Sequence, residues 1–170
     1  MTWRKTMNLS VVARRCQIGA QEYVSVMRRL PLEDQLKIYS LSKVKIEGRE
    51  KILATGEKVA AILGFAPGSV SFEFHGKFRG GKGYATPVLQ EIHFGDHTSL
   101  HAIVHELTHL LCDKETTVYH YTEGRRPKTS WHNQGFTIWL QMAVDNVLEH
   151  GEEWGVRLFT AEELFSLTVL

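Results

Sequence analysis

The sequence predicts an α+β domain. Apolar residues recur at helical spacing through the first third, alternate residue by residue around Phe72, and return to helical spacing from about Ser99 onward. The 170 residues suffice for a domain with a sizeable core. Two parts are expected in one compact body: a helical N-terminal segment over 1–45 and the main domain over 46–170.

From about Gln17 to Leu30, the spacing of Tyr23, Val24, Met27 and Leu30 predicts a first helix. Pro31 interrupts it, and Leu32 to Leu41 continues as a second. Glu47 to Leu63 reads as a third, with Ile52, Leu53, Val59, Ala60 and Leu63 apolar and Gly64 and Pro67 ending it. The period then changes. Val70, Phe72 and Phe74 alternate with Ser71, Glu73 and His75, the pattern of a half-buried strand. Glycines in Lys77 to Gly83 mark a turn, and Gly83 to Phe94 holds a second extended stretch with its strand at Val88 to Phe94. Gly95 and Asp96 break the chain before a helix from about Ser99 to Cys112, capped by Thr98 or Ser99. Its apolar face is Leu100, Ile103, Val104, Leu107, Leu110 and Leu111. A connection of roughly 17 residues follows, long enough to suggest function. Ser130 then caps a last helix from Trp131 to about Glu149.

Composition narrows the classes. The net charge of +1 provides no global attraction to nucleic acid or acidic membranes, although local patches remain open. No run approaches the roughly 18 apolar residues of a membrane span. The N-terminus is basic without an apolar core of signal-peptide length, so a cytoplasmic protein is expected. Cys16 and Cys112 form no CxxC pair, which leaves no zinc ribbon or redox motif and fits a reducing compartment.

The nine histidines gather toward the middle of the chain, where His105-Glu106-Leu107-Thr108-His109 forms an HExxH pattern. Residues four apart on a helix differ by about 40° in direction and about 6 Å in rise, so the two imidazoles can converge on one ion. Glu106 is offset by about 100° and can reach a water that the ion activates. One zinc ion on His105 and His109, with Glu106 as catalytic base, is the expectation; two surface histidines beside a helix-face glutamate are the bland alternative. A catalytic zinc takes a third protein ligand. Cys112 and Glu115 stand where a metzincin would carry its next glycine and histidine, so the candidates are His120, Glu123 and His132. His132 is preferred because it shares a face with Phe136, Trp139 and Ala143; a satisfied core histidine is the bland reading.

HELTH, a connection, then Trp131-His132-Asn133-Gln134-Gly135-Phe136 resembles the SprT-like family, which includes the Spartan proteases. That family pairs HExxH with a downstream His-Gly-x-x-Phe element. Gly83-Tyr84-Ala85 and Gln90-Glu91-Ile92-His93-Phe94 resemble its strand before the active helix, and the likeness spans roughly residues 50 to 145. Asn133 stands where the family has its glycine, and a glycine appears at Gly135 instead. The WLM and YgjP-like groups also join HExxH to a later histidine and phenylalanine, and the latter is described as nucleotide-hydrolysing. The resemblance implies a zincin-like fold: N-terminal helices, a small sheet, the HExxH helix and a following ligand-bearing helix. It also implies a zinc endopeptidase acting on protein or peptide, with DNA-associated proteins as one substrate class. A metal-dependent nucleotide or phosphoester hydrolase and a zinc-stabilised interaction module are the alternatives. Glu106 speaks against the module, because a closed structural site has no use for a carboxylate beside the metal.

Other residues carry weaker expectations. His101, one turn before His105, is a substrate-contact candidate or simply exposed, while His93 and His97 precede the helix. Cys112 reads as a small core residue. Tyr119 and Tyr121 could donate to the oxyanion of a tetrahedral intermediate. The connection holding them, Lys114 to Thr129, is expected to govern access to the metal. Lys77, Arg79 and Lys82, and Arg125, Arg126 and Lys128, form two basic loops, either solvated or, as the resemblance implies, holding DNA. The strand at Val88 to Phe94 is expected to offer its edge to an extended peptide.

Overall fold

A computed structural model describes residues 29–75, 83–123 and 134–166, with 88, 113–123 and 164–166 as backbone only. The expected first helix at Gln17 to Leu30 and the turn at Lys77 to Gly83 lie almost wholly outside the described residues.

The first described helix, α1 (Leu32–Ser42), starts directly after Pro31, with Glu33 and Asp34 in its first turn where the helix dipole favours acids. It is followed by a three-residue strand, β1 (Lys45–Glu47), and then α2 (Arg49–Ile62). The turn between them needs Gly48, whose φ of +90° is strained for any residue with a Cβ. Ile52, Val59 and Ala60 of α2 are buried as the periodicity predicted, whereas Leu53 points out and is 38% exposed.

Three short strands form one sheet: β2 (Ser71–Phe74), β3 (Gly83–Thr86) and β4 (Glu91–Phe94). The order is β2-β4-β3, with β2 parallel and β3 antiparallel to the central strand. This corrects two expectations. The extended stretch from Gly83 to Phe94 is two strands, because Pro87 lacks the N–H a ladder needs and opens a 3-10 turn over Pro87–Leu89. The strand predicted at Val88 to Phe94 is therefore shorter, and β4 is paired on both sides, so it has no edge to offer a peptide. The edges belong to β2 and β3. On the inner face Ile92 and Phe94 are fully buried, and Phe72 stacks on Phe94 at 6.4 Å.

A second, two-stranded ladder joins β1 to β5 (His97–Ser99), pairing Ile46 with Thr98. The Leu100 N–H donates to the Val44 carbonyl at 2.9 Å, and the Gly48 N–H to the Asp96 carbonyl at 2.9 Å. These bonds fix the start of the following helix against the α1–α2 junction.

That helix, α3 (Leu100–Glu123), is the centre of the molecule. It packs against α4 (Gln134–Leu148), α1, α2 and β3. Leu100, Ile103, Val104 and Leu107 are fully buried. The expected end at Cys112 is a correction: the helix continues to Glu123, because no glycine or proline interrupts the chain before Gly124. Phe136, Leu140, Ala143, Val144 and Val147 bury one face of α4. Lys37 of α1 reaches Asp145 of α4 at 3.0 Å and Asp34 at 3.5 Å, and Gln141 donates to Asp34 at 2.9 Å. Asp145 holds the Lys37 ammonium above its ordinary pKa. A 3-10 turn (Gly151–Trp154) and a short α5 (Ala161–Ser166) close the described chain. The described residues bury one continuous α+β core. Among them no helix is long and apolar enough to cross a membrane.

Candidate metal centre

Ser99, rather than Thr98, caps α3: its hydroxyl accepts from the Ala102 N–H at 3.1 Å. With its start fixed, the helix aims its polar residues by geometry alone. His101, His105 and His109 fall one turn apart along a single stripe. The His101 and His105 rings lie 5.7 Å apart, and the His105 and His109 rings 5.0 Å apart at 75°. His105 is 6% exposed and His109 half-buried, so the reading of HExxH as two surface histidines is overturned. His101 is also buried, at 1% exposure, which overturns its reading as an exposed residue. It sits against His105, away from solvent.

Phe136, in the first turn of α4, closes this stripe. Its ring stacks on His109 at 4.5 Å and meets His105 edge-on at 5.1 Å. The inward face expected through Phe136, Trp139 and Ala143 is present: Trp139 is half-buried, Ala143 is buried, and so is Phe136. Its role as the wall behind two imidazoles was not legible.

Glu106 follows His105 on the helix, turned about 100° from it, and is half-buried. Desolvation of its carboxyl pushes its pKa up to about 8. Thr108, on the inner side, is fully buried and returns its hydroxyl to the Val104 carbonyl at 2.7 Å. Cys112 is half-buried at the edge of the core, in keeping with its packing role.

Two imidazoles one turn apart, with a carboxyl beside them, are a donor set that suits zinc. Among the described residues no three His, Cys, Asp or Glu side chains converge on one point. The preferred third ligand, His132, lies outside the described residues, as do Arg125, Arg126, Lys128, Lys77, Arg79 and Lys82. Tyr119, His120, Tyr121 and Glu123 are described as backbone only, on the last turns of α3. The expected loop from Lys114 to Thr129 is therefore helical over its first ten residues.

A second histidine group was missed. His75 and His93 meet on the outer face of the sheet, Nε2 to Nδ1 at 2.9 Å. His93 was expected only to precede the helix. The signal was available: His75 and His93 share the parity opposite to Phe74 and Phe94, so pairing the two strands puts both on one face.

No family model, curated protein or solved structure matches the chain.

Proposed function

We propose that the chain is a zinc-dependent endopeptidase of zincin type, with His105 and His109 as metal ligands and Glu106 as general base. The observation that carries the reading is the neighbouring pair of His105 and His109 rings on a buried stripe, with Glu106 beside them. The resemblance to the SprT-like family points the same way, and His132, four residues before Phe136, remains the candidate for the third ligand.

A zinc ion bound there would supply Lewis acidity, lowering the pKa of water and polarising a carbonyl. The remaining work falls to this chain's own groups. Phe136 backs both imidazoles and limits their rotation. Burial makes Glu106 hold its proton near neutrality when no cation is beside it. A dication within reach would oppose that and favour the carboxylate. Glu106 can then take the proton of the attacking water and return it to the leaving amine. An extended substrate would pair with β3, the edge strand that packs against α3, rather than with β4.

The test combines metal analysis with activity on an unstructured protein substrate. Wild-type protein is expected to carry stoichiometric zinc, and His105→Ala and His109→Ala to lose it. Glu106→Gln should keep zinc and fold while turnover falls by roughly 10²–10⁴-fold. Full turnover in Glu106→Gln would remove the general-base role. Zinc retained after His132→Ala would move the third ligand elsewhere.

A further inference from the structure

The outer face of the three-stranded sheet carries a second cluster that the reading above does not use. His93 projects from the central strand and is 8% exposed. Tyr84, its cross-strand partner on β3, lies flat over its ring at 4.1 Å and 10°. His93 Nε2 has Glu91 Oε2 and Thr86 Oγ1 both at 3.2 Å. A carboxylate can only accept, so Nε2 carries the hydrogen and the Nδ1 lone pair is turned the other way. It is turned toward His75, which is exposed just beyond the end of β2 and places Nε2 2.9 Å away.

We propose that His75 and His93 form a surface site for a divalent transition-metal ion of tetragonal preference, such as Cu²⁺ or Ni²⁺, with water in its remaining positions. Two imidazole nitrogens 2.9 Å apart, each at the usual metal–nitrogen distance of about 2.05 Å, subtend about 90° at the ion. That angle is the cis angle of a square-planar or octahedral ion and falls short of the tetrahedral one, which separates this site from the zinc expected on α3. Without an ion, His75 Nε2–H donates to the His93 Nδ1 lone pair; moving that hydrogen to His75 Nδ1 frees the Nε2 lone pair for a metal. A rotation of the exposed His75 ring re-aims its nitrogen at an ion, whereas His93 is held still by Tyr84, Thr86 and Glu91. Glu91 thus occupies the place of the carboxylate that orients a ligating histidine and raises its basicity. The cluster is assembled by the sheet register, with Glu73 of β2 and Tyr84 of β3 both opposite His93.

Calorimetric titration of the full chain with Cu²⁺ at neutral pH tests the site. Wild-type protein is expected to take up one equivalent more than His75→Ala. His75 is exposed, so that variant should fold. Glu91→Gln should weaken the same equivalent by roughly 10–100-fold. Electron paramagnetic resonance of that equivalent should show two coordinated imidazoles in wild type. Identical titrations of wild type and His75→Ala overturn the site. An unchanged affinity in Glu91→Gln overturns the role given to Glu91.

Discussion

The two histidine groups carry the same side chain in opposite surroundings. On α3, His101, His105 and His109 follow one stripe of a single helix, backed by Phe136 and set beside Glu106 in a desolvated position. On the sheet, His75, just past the end of β2, and His93 of β4 are 18 residues apart and meet at a surface where one ring is exposed. The helix fixes the spacing of its pair by its own pitch, before any tertiary contact forms. The sheet pair exists only if β2 and β4 pair in one register; a slip of one residue would put the two rings on opposite faces. Burial also divides them. Electrostatic effects are strong in the enclosed helix stripe and screened at the sheet surface.

The largest expected effect lies on the helix side. Beyond the loss of turnover in Glu106→Gln, Phe136→Ala should destabilise the fold by about 3–5 kcal/mol, the range for removing a buried aromatic ring. Phe136 is fully buried and touches both imidazoles. Chemical denaturation measures it. A loss under about 1 kcal/mol would mean that Phe136 is not part of the packed core and that the stripe has no fixed wall.

The next effect distinguishes the two regions by pH. In metal-free protein the folded state holds the Glu106 proton up to about pH 8, against a model carboxyl of 4.5. The folded state therefore binds that proton more tightly than the unfolded chain. The stability it contributes is complete below about pH 4.5 and is lost as pH rises to about 8. Thermal unfolding of chelator-treated wild type should show the fall, a few kcal/mol at most. Glu106→Gln is neutral at every pH and should flatten that part of the profile. Parallel profiles for the two proteins would show that Glu106 is solvated and not enclosed.

This contrast also explains what was legible in the sequence. The HExxH helix could be read because its apolar face repeats over three turns without a breaker; α2 and α4 could be read from the same periodicity despite Gly56 and Gly135. The β1–β5 ladder could not be: strands of three residues, Lys45–Glu47 and His97–Ser99, are too short for alternation to register. The end of α3 is not legible because Lys114 to Tyr121 lacks an apolar stripe, yet nothing in that stretch forbids a helix, and it persists to Glu123. The strand before the helix was recognised, but its central position was not, since the parallel partner β2 lies far back in the chain. The burial of His101 is not legible, because periodicity places it on the polar side of the helix and does not show what packs there.

A smaller effect probes the sheet at a place where the backbone leaves no room. A Cβ on Gly83 would lie 2.9 Å from the His93 carbonyl oxygen and 2.9 Å from the Phe94 ring. The carbonyl belongs to the central strand and cannot move without disturbing both ladders. Gly83→Ala should therefore cost about 1–3 kcal/mol, as overpacking usually does, and act on the edge strand that the proposed substrate would use. Wild-type stability with unchanged turnover would show that β3 can shift freely, and would weaken both the strand-pairing and the histidine-pair arguments.

The smallest expected effect belongs to His75 itself. Replacing it by alanine removes one hydrogen bond to His93 at the surface, a net contribution of about 0.5–1.5 kcal/mol. His93→Ala should cost more, because that ring is buried under Tyr84 and also bonded toward Glu91 and Thr86. A double-mutant cycle between positions 75 and 93 isolates what the two share. A coupling near zero would mean that the rings do not hold each other in solution, and the preformed pair of nitrogens would be lost with it. A coupling that rises when Cu²⁺ is added, while stability of His105→Ala protein responds in the same way, would locate the effect on the sheet and separate it from the helix. The same cycle run between His75 and His105 should give additive values, since His75 lies at the outer face of the sheet and His105 on the α3 stripe backed by Phe136.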